Sequence, residues 1–443
     1  MKIAVIGGGV GGLVAARALV RAGIDAHVFE AAPRAGGVVG TSTIDGYVRE
    51  HAASGFLGGP GDGVYALCRE LGVAVARAST RARARWIYLD GKLRALPRSP
   101  LDLVTSDLLT WRGKLDLLRE PLRPAGPGGE ESVHAFAARR FGAEAARALV
   151  SPFATWVHAA DGHDLSLLSG FPRLAALDVR GGVIGGMLAQ TARGLAGRLR
   201  GVPAVRTPRG WWAPRGGFGA LVDALAGELG PRLRLGARVT RIEPAGGGVQ
   251  IDGTPWDGAV LAIPAEDAGP LVATPDFANR LAAFHRAPAA LVYLGFAAAA
   301  IPRAHDGFGL VVAQGEDVRV LGVLFESTMW PDRAPAGHVL LRCLFGGGRD
   351  PEATRLDDAA LIAQAVRDVG IVLGAGATPT HTSVVRSPRG LAQYTLGHRD
   401  RVRDAVALAR TQRIVLAGAD YRGPGLNKLC ADAASVVAEV RAW

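Results

Sequence analysis

The chain has 443 residues, 49% of them apolar, with a formal net charge of +11 and a mean hydropathy of +0.19. That length and apolar content exclude a disordered or fibrous chain and leave room for two or three domains with sizeable cores. No uninterrupted apolar run reaches the roughly 20 residues of a membrane span. The nearest, AALVYLGFAAAA at 289–300, reads as a buried strand leading into a loop between Pro288 and Pro302.

Residues 2–6, KIAVI, suit a buried parallel strand. Gly7-Gly8-Gly9-Val10-Gly11-Gly12 follows and satisfies G-x-G-x-x-G through Gly7, Gly9 and Gly12. LVAARALVRAG then carries helical apolar spacing and ends at Gly23. DAHVFE at 25–30 reads as a second strand closing on an acid, Glu30. This is a complete βαβ context. Gly7 permits the tight turn, Gly9 admits a pyrophosphate, and Gly12 lets helix pack on strand. The helix N-terminus offers N–H groups to phosphates, and Glu30 is placed for ribose hydroxyls. The spacing predicts a dinucleotide site on a Rossmann-like α/β domain, without choosing between nicotinamide and flavin.

Lys2 precedes an apolar run that these glycines soon break, and no small-residue cleavage site clearly follows, so the start does not read as a leader. Residues 81–123 hold ten Lys/Arg against five Asp/Glu, and residues 171–215 hold eight Arg against Asp178 alone. Such stretches attract polyanions, anionic headgroups or acidic small molecules, although a coding bias toward arginine gives the same overall charge. Pro/Gly-rich breaks fall at 121–129, 201–217 and 244–248, with a helical region, including 133–150, between the first two. Residues 218–230 read as a helix, followed by strands through LRLGARVTRIEP and GVQIDGTPWDGAVLAIPA. Residues 291–345 are strand-rich, a helix is expected near 358–370, and RIVLAGA at 413–419 is a last strand before a closing helix. His158, Asp161, His163 and Asp164 match no metal-ligand spacing and read as a solvated loop. Cys68, Cys343 and Cys430 form no C-x-x-C pair, which argues for a reducing compartment.

EAAPRAGGVVGT places Gly36 and Gly37 shortly after Glu30 and resembles the extended motif of the FAD-dependent amine oxidase and phytoene desaturase superfamily. More specific stretches resemble the protoporphyrinogen oxidase family nearly end to end. They are GKLRALPRSPLDLVTSDLLTWRGKLDLLREPL, ESVHAFAARRFGAEAARALVSPFATWVHAADGHDLSLLSGFPRL, WAPRGGFGALVDAL, LGVLFESTMWPDRAP, QYTLGHRDRV and LAGADYRGPGL.

The resemblance implies an FAD-binding domain of the glutathione-reductase/amine-oxidase type over 1–80, 205–265 and 400–443. It implies a mostly helical, membrane-associating insertion at 85–204 and an α+β substrate domain at 266–399. It carries the cofactor role onto Gly7, Gly8, Gly9, Val10, Gly11, Gly12, Glu30, Ala31, Gly36, Gly37, Val38, His51, Ser54, Val239, Gly418, Pro424, Gly425 and Leu426. Arg94 resembles the propionate-binding arginine of some members, and Phe308, Val311, Leu324 and Phe345 are candidate walls for an apolar macrocycle. The implied reaction is oxidation of a porphyrinogen to a porphyrin by hydride removal to flavin, with O2 as acceptor and no dedicated acid/base pair or metal. Protoporphyrinogen IX is the first substrate. Coproporphyrinogen III, another amine-oxidase or desaturase substrate, or an inactive porphyrin- or membrane-binding flavoprotein remain alternatives. A cytoplasmic location with peripheral membrane attachment, and a possible homodimer, are also implied. His51, Ser387, Ala392 and Ala419 depart from the residues usual in relatives, and Lys428 lies close enough in sequence to influence the flavin.

Overall fold

The computed structural model describes residues 1–59, 61–126, 128–179, 182–186, 210–301 and 306–443. Six arginines of the second basic stretch, Arg180, Arg193, Arg198, Arg200, Arg206 and Arg209, therefore lie outside the described residues.

Strand β1 (Lys2–Ile6), helix α1 (Val10–Arg21) and strand β2 (Asp25–Phe29) form the expected first unit. β1 is central to a five-stranded parallel sheet. Its neighbours are β2 on one side and Gly258–Leu261 on the other, with Leu233–Arg234 and Ile414–Leu416 at the edges. Strands from both ends and the middle of the chain thus build one sheet. β1 is almost wholly apolar because helices cover it: Leu13, Val14 and Leu19 of α1 share a core with Leu221 and Leu225 of helix Phe218–Leu229 and with Val436 and Val440 of the C-terminal helix Leu426–Arg441.

The strand-rich middle forms a seven-stranded mixed sheet in the order 381–393, 285–297, 338–346, 322–325, 309–312, 85–89, 92–95. Only Gly309–Val312 and Arg85–Leu89 run parallel; the other neighbours are antiparallel. Strand alternation sends Val292, Leu310, Val323 and Phe345 to the face covered by helix Asp358–Leu373. Ile87, Leu89 and Val311 point to the opposite side, against Phe136 and Ala137 of helix Val133–Phe141. The strand segment expected around 233–261 breaks into Leu233–Arg234 and a small meander, 242–245, 248–251 and 254–256, before rejoining the parallel sheet.

His158 corrects the expectation of a solvated loop. It closes helix Ser151–His158 and is buried against Phe171 and Tyr394, whereas His163 and Asp164 are exposed. Among the described residues no three His, Cys, Asp or Glu side chains converge on a metal-sized site, and no helix is long and apolar enough to cross a membrane.

Candidate cofactor cleft

A cleft of about 1150 Å³ runs along the C-terminal edge of the parallel sheet, where such sheets bind ligands. It exceeds the roughly 300–1,000 Å³ of ordinary small-molecule pockets, as an extended dinucleotide requires.

One end is built by the first βαβ unit. Gly7 turns at φ +107°, and a Cβ there would lie 2.6 Å from the Ile263 Cγ2 atom. A Cβ on Gly12 would run into the Gly7 carbonyl oxygen, so only glycine lets α1 start this close to β1. α1 begins after Gly9 with no side-chain cap and no acid in its first turn. Its positive end therefore stands at a cleft lined by Gly9, Val10 and Gly11. The second glycine pair folds over this turn: the Gly36 N–H donates to the Gly8 carbonyl at 2.7 Å. Glu30, at the tip of β2, accepts from the Gly8 N–H at 2.6 Å and the Ala32 N–H at 2.8 Å. Arg34 fixes the loop from outside by donating to the Gly37 carbonyl at 2.7 Å.

The other end comes from the C-terminal glycines. Gly418 packs on α1, since a Cβ on Gly11 would meet its Cα at 3.4 Å. Pro424, Gly425 and Leu426 line the cleft at the start of the C-terminal helix. Asn427 stitches this turn to the opposite wall, donating to the Leu57 carbonyl at 2.7 Å and accepting from the Val64 N–H at 3.0 Å. That wall is Ala52, Ala53 and Gly55–Leu57, with Trp211 beside it.

Charge in the cleft is largely paired. Asp420 is buried, which pushes its carboxyl up, while Arg286 at 2.6 Å opposes that shift. Arg286 also donates to the carbonyls of Arg389 and Gly390, and Arg389 pairs with Asp267. Among the described residues, nothing lining the cleft resembles a nucleophile activated by a base. The donors are backbone N–H groups at a helix start, an acid at a strand tip and a glycine-lined floor, which suits a bound redox cofactor.

The predicted cofactor residues divide. Gly7, Gly9, Val10, Gly11, Glu30, Ala31, Gly36, Gly37, Val38, Val239, Gly418, Pro424, Gly425 and Leu426 line the cleft together. Gly8 and Gly12 support the turn from behind. His51 and Ser54 point away from the cavity: His51 hydrogen-bonds Ser42 at 3.0 Å, and Ser54 donates to Glu326 at 2.8 Å. Ala419 lines the cleft, whereas Lys428 pairs with Asp432 along its own helix.

The predicted substrate residues do not line it. Phe345 and Val311 are buried in cores on opposite faces of the seven-stranded sheet. Arg94 is already engaged, donating to the Leu89 carbonyl at 2.5 Å and to Asp107 at 3.1 Å. Phe308 and Leu324 lie one layer behind the wall, with Phe308 edge-to-face on Trp211 at 5.2 Å. Sequence reading passed over Arg85, in the same basic stretch as Arg94. It stacks over the Phe308 ring at 4.9 Å and, among the described residues, pairs with no carboxylate. It also passed over Trp211, Arg286 and Arg389, which strand pairing brings to the cleft from distant segments.

Comparison with known proteins agrees with this geometry. A family model described as flavin containing amine oxidoreductase matches residues 10–426. The chloroplastic protoporphyrinogen oxidase of Oryza sativa subsp. japonica is 31% identical over 90% of this chain and 80% of its own. The coproporphyrinogen III oxidase of Bacillus subtilis is 25% identical over 96% and 94%. A crystal structure from Exiguobacterium sp. 255-15, provisionally named a protoporphyrinogen oxidase, superposes with a TM-score of 0.82 at 22% identity, covering 100% of this chain and 98% of the other. The chain belongs to the flavin containing amine oxidoreductase family, among the relatives of the protoporphyrinogen oxidases, and is an FAD-dependent oxidoreductase.

Proposed function

We propose that the protein oxidises a porphyrinogen to a porphyrin, with protoporphyrinogen IX as substrate and O2 as final acceptor. Coproporphyrinogen III, the substrate in the name of the Bacillus subtilis relative, is the alternative. The observation that carries this reading is the group around Phe308. Trp211 lines the cleft, Phe308 backs it at 5.2 Å with Trp156 a further 5.4 Å behind, and Arg85 sits over Phe308 with no acidic partner among the described residues. A porphyrinogen is a broad apolar ring carrying carboxylates, so it needs aromatic surface and an unspent cation side by side. Bound FAD supplies the hydride-accepting chemistry. The chain's own residues bind and orient: Trp211 walls the ring, Arg85 takes a propionate, and the apolar alanines at 52 and 53 keep water from the reacting face.

The same reading assigns residues 1–80, 205–265 and 400–443 to the cofactor domain, 85–204 to a helical insertion and 266–399 to the substrate domain, with 187–209 outside the described residues. On the insertion, Leu101, Val104, Trp111, Leu115, Leu118 and Leu122 are exposed beside Arg98, Arg112 and Arg119. An apolar face rimmed with cations suits peripheral contact with anionic lipid. Leu118→Glu should reduce co-sedimentation with anionic vesicles.

The test is aerobic turnover with each porphyrinogen, read by porphyrin fluorescence and peroxide. Arg85→Ala should raise KM by about 10- to 100-fold, the loss of one charge-assisted hydrogen bond worth about 1.5–3 kcal/mol, at constant flavin content. Arg94→Ala should leave KM unchanged. The reverse pattern would return the carboxylate role to Arg94.

A further inference from the structure

A second cluster of charge lies behind the cleft wall. Glu50, Glu326, Arg333 and Arg342 are each more than nine-tenths buried. Arg333 pairs with Glu50 at 2.7 Å and Arg342 with Glu326 at 3.4 Å. Removing an ion from water costs several kcal/mol, and well-packed apolar residues of similar volume are often as stabilising or more so. Stability alone is therefore a weak reason for four buried charges here.

The two pairs attach to different things. The Glu50 carboxylate accepts from Thr41 Oγ1 at 2.7 Å and from the Phe218 N–H at 3.2 Å, so that pair fastens the start of helix Phe218–Leu229. The other pair holds the wall. Arg342, on strand His338–Gly346, donates to the Ala52 carbonyl. Glu326 accepts from Ser54 Oγ at 2.8 Å, and Ser54 Oγ in turn accepts from Trp330 Nε1 at 3.2 Å. Ala52, Ala53 and Gly55 line the FAD cleft, and Ser54 sits between them with its side chain turned back to Glu326. The 52–55 segment is thus gripped at two points by groups carried on the seven-stranded sheet and the short helix after its strand Gly322–Phe325.

We propose that Glu326 and Arg342 are positioning residues: the pair sets the shape of the 52–55 wall and, through it, the environment of bound flavin. A guanidinium on a backbone carbonyl and a carboxylate on a hydroxyl are directional, so they fix this segment in one place as apolar packing does not. This rests on the FAD assignment and not on the identity of the substrate.

The test uses the FAD-loaded protein and reads the visible circular dichroism and midpoint potential of its flavin, with melting temperature alongside. Arg342→Met should shift both flavin signals, and Arg342→Lys should restore part of each. Ser54→Ala, which removes only the hydroxyl, should shift the dichroism in the same direction and serves if Arg342→Met does not fold. Arg333→Met, in the same cluster but off the wall, should lower the melting temperature and leave both signals as in the parent. Unchanged signals in a loaded Ser54→Ala or Arg342→Met protein would overturn the proposal, as would equal shifts in Arg333→Met. A parent protein that takes up no FAD would instead refute the cofactor assignment.

Discussion

Two buried histidines should make the protein acid-labile over a defined range. His158 and His398 both pack edge-to-face with Tyr394, with ring centroids 5.6 and 4.8 Å from it, and the Tyr394 hydroxyl donates to the Ala419 carbonyl at 2.8 Å. Burial pushes each imidazole from the ordinary 6.5 down to about 4; for His398, Arg401 and His285 add to the shift, and the Asp420 backbone opposes it. Since the folded value lies below the unfolded one, the unfolded chain takes up protons first as pH falls from about 6.5. Stability is therefore lost between pH about 6.5 and about 4, with no further loss from these groups below that. At about 1.4 kcal/mol per unit, each histidine costs about 2 kcal/mol by pH 5 and about 3 kcal/mol at the bottom of the range. Together they reach about 6 kcal/mol, comparable with the roughly 5–15 kcal/mol total stability of a typical domain. The assay is urea unfolding at half-unit steps from pH 7.5 to 5, with FAD retention followed in parallel because Tyr394 holds a cleft-lining residue. His398→Phe should remove about half of the pH dependence, and adding His158→Phe most of the remainder. An unchanged slope in both variants would refute the reasoning.

Gly12→Ala places a methyl against the Gly7 carbonyl and 3.1 Å from the Ala262 Cβ, backbone and short side chain that have little room to yield. Overpacking of this kind costs about 1–3 kcal/mol, so the variant should purify with little flavin colour; full FAD occupancy would contradict the account of the turn. Cys68 and Cys430 are pushed up to about 11 and about 12 by burial. Native protein at pH 8 should resist alkylation at both and label at both in urea, followed by mass spectrometry.

The nucleotide half of the molecule was legible because its constraints are local. A glycine that must lie on a neighbouring carbonyl, as Gly12 does, is written within six residues of its cause. The substrate side was not legible, because there the same residue types differ only in their partners. Arg85 and Arg94 belong to one short basic stretch, and only the fold shows that Asp107 and the Leu89 carbonyl consume Arg94 while Arg85 rests on an aromatic ring. Strand alternation hid the rest: Phe345 and Phe308 look equivalent as aromatics, yet one faces helix Asp358–Leu373 and the other backs the cleft wall. Arg286 and Asp420 are 134 residues apart, one on strand His285–Ala297 and the other on the short helix Ala419–Arg422, and meet only in the folded chain. Ser54 belongs to the wall segment, but its hydroxyl turns back to Glu326 while Ala52, Ala53 and Gly55 line the cleft.

The most direct measurement mixes FAD-loaded protein with protoporphyrinogen IX, or coproporphyrinogen III, under anaerobic conditions and follows the visible absorbance of the flavin. The account predicts bleaching by at least one porphyrinogen, porphyrin formed in step with it, and recovery of the flavin spectrum on admitting O2. Flavin that stays oxidised with both porphyrinogens, yet is reduced by a simple amine, would contradict it.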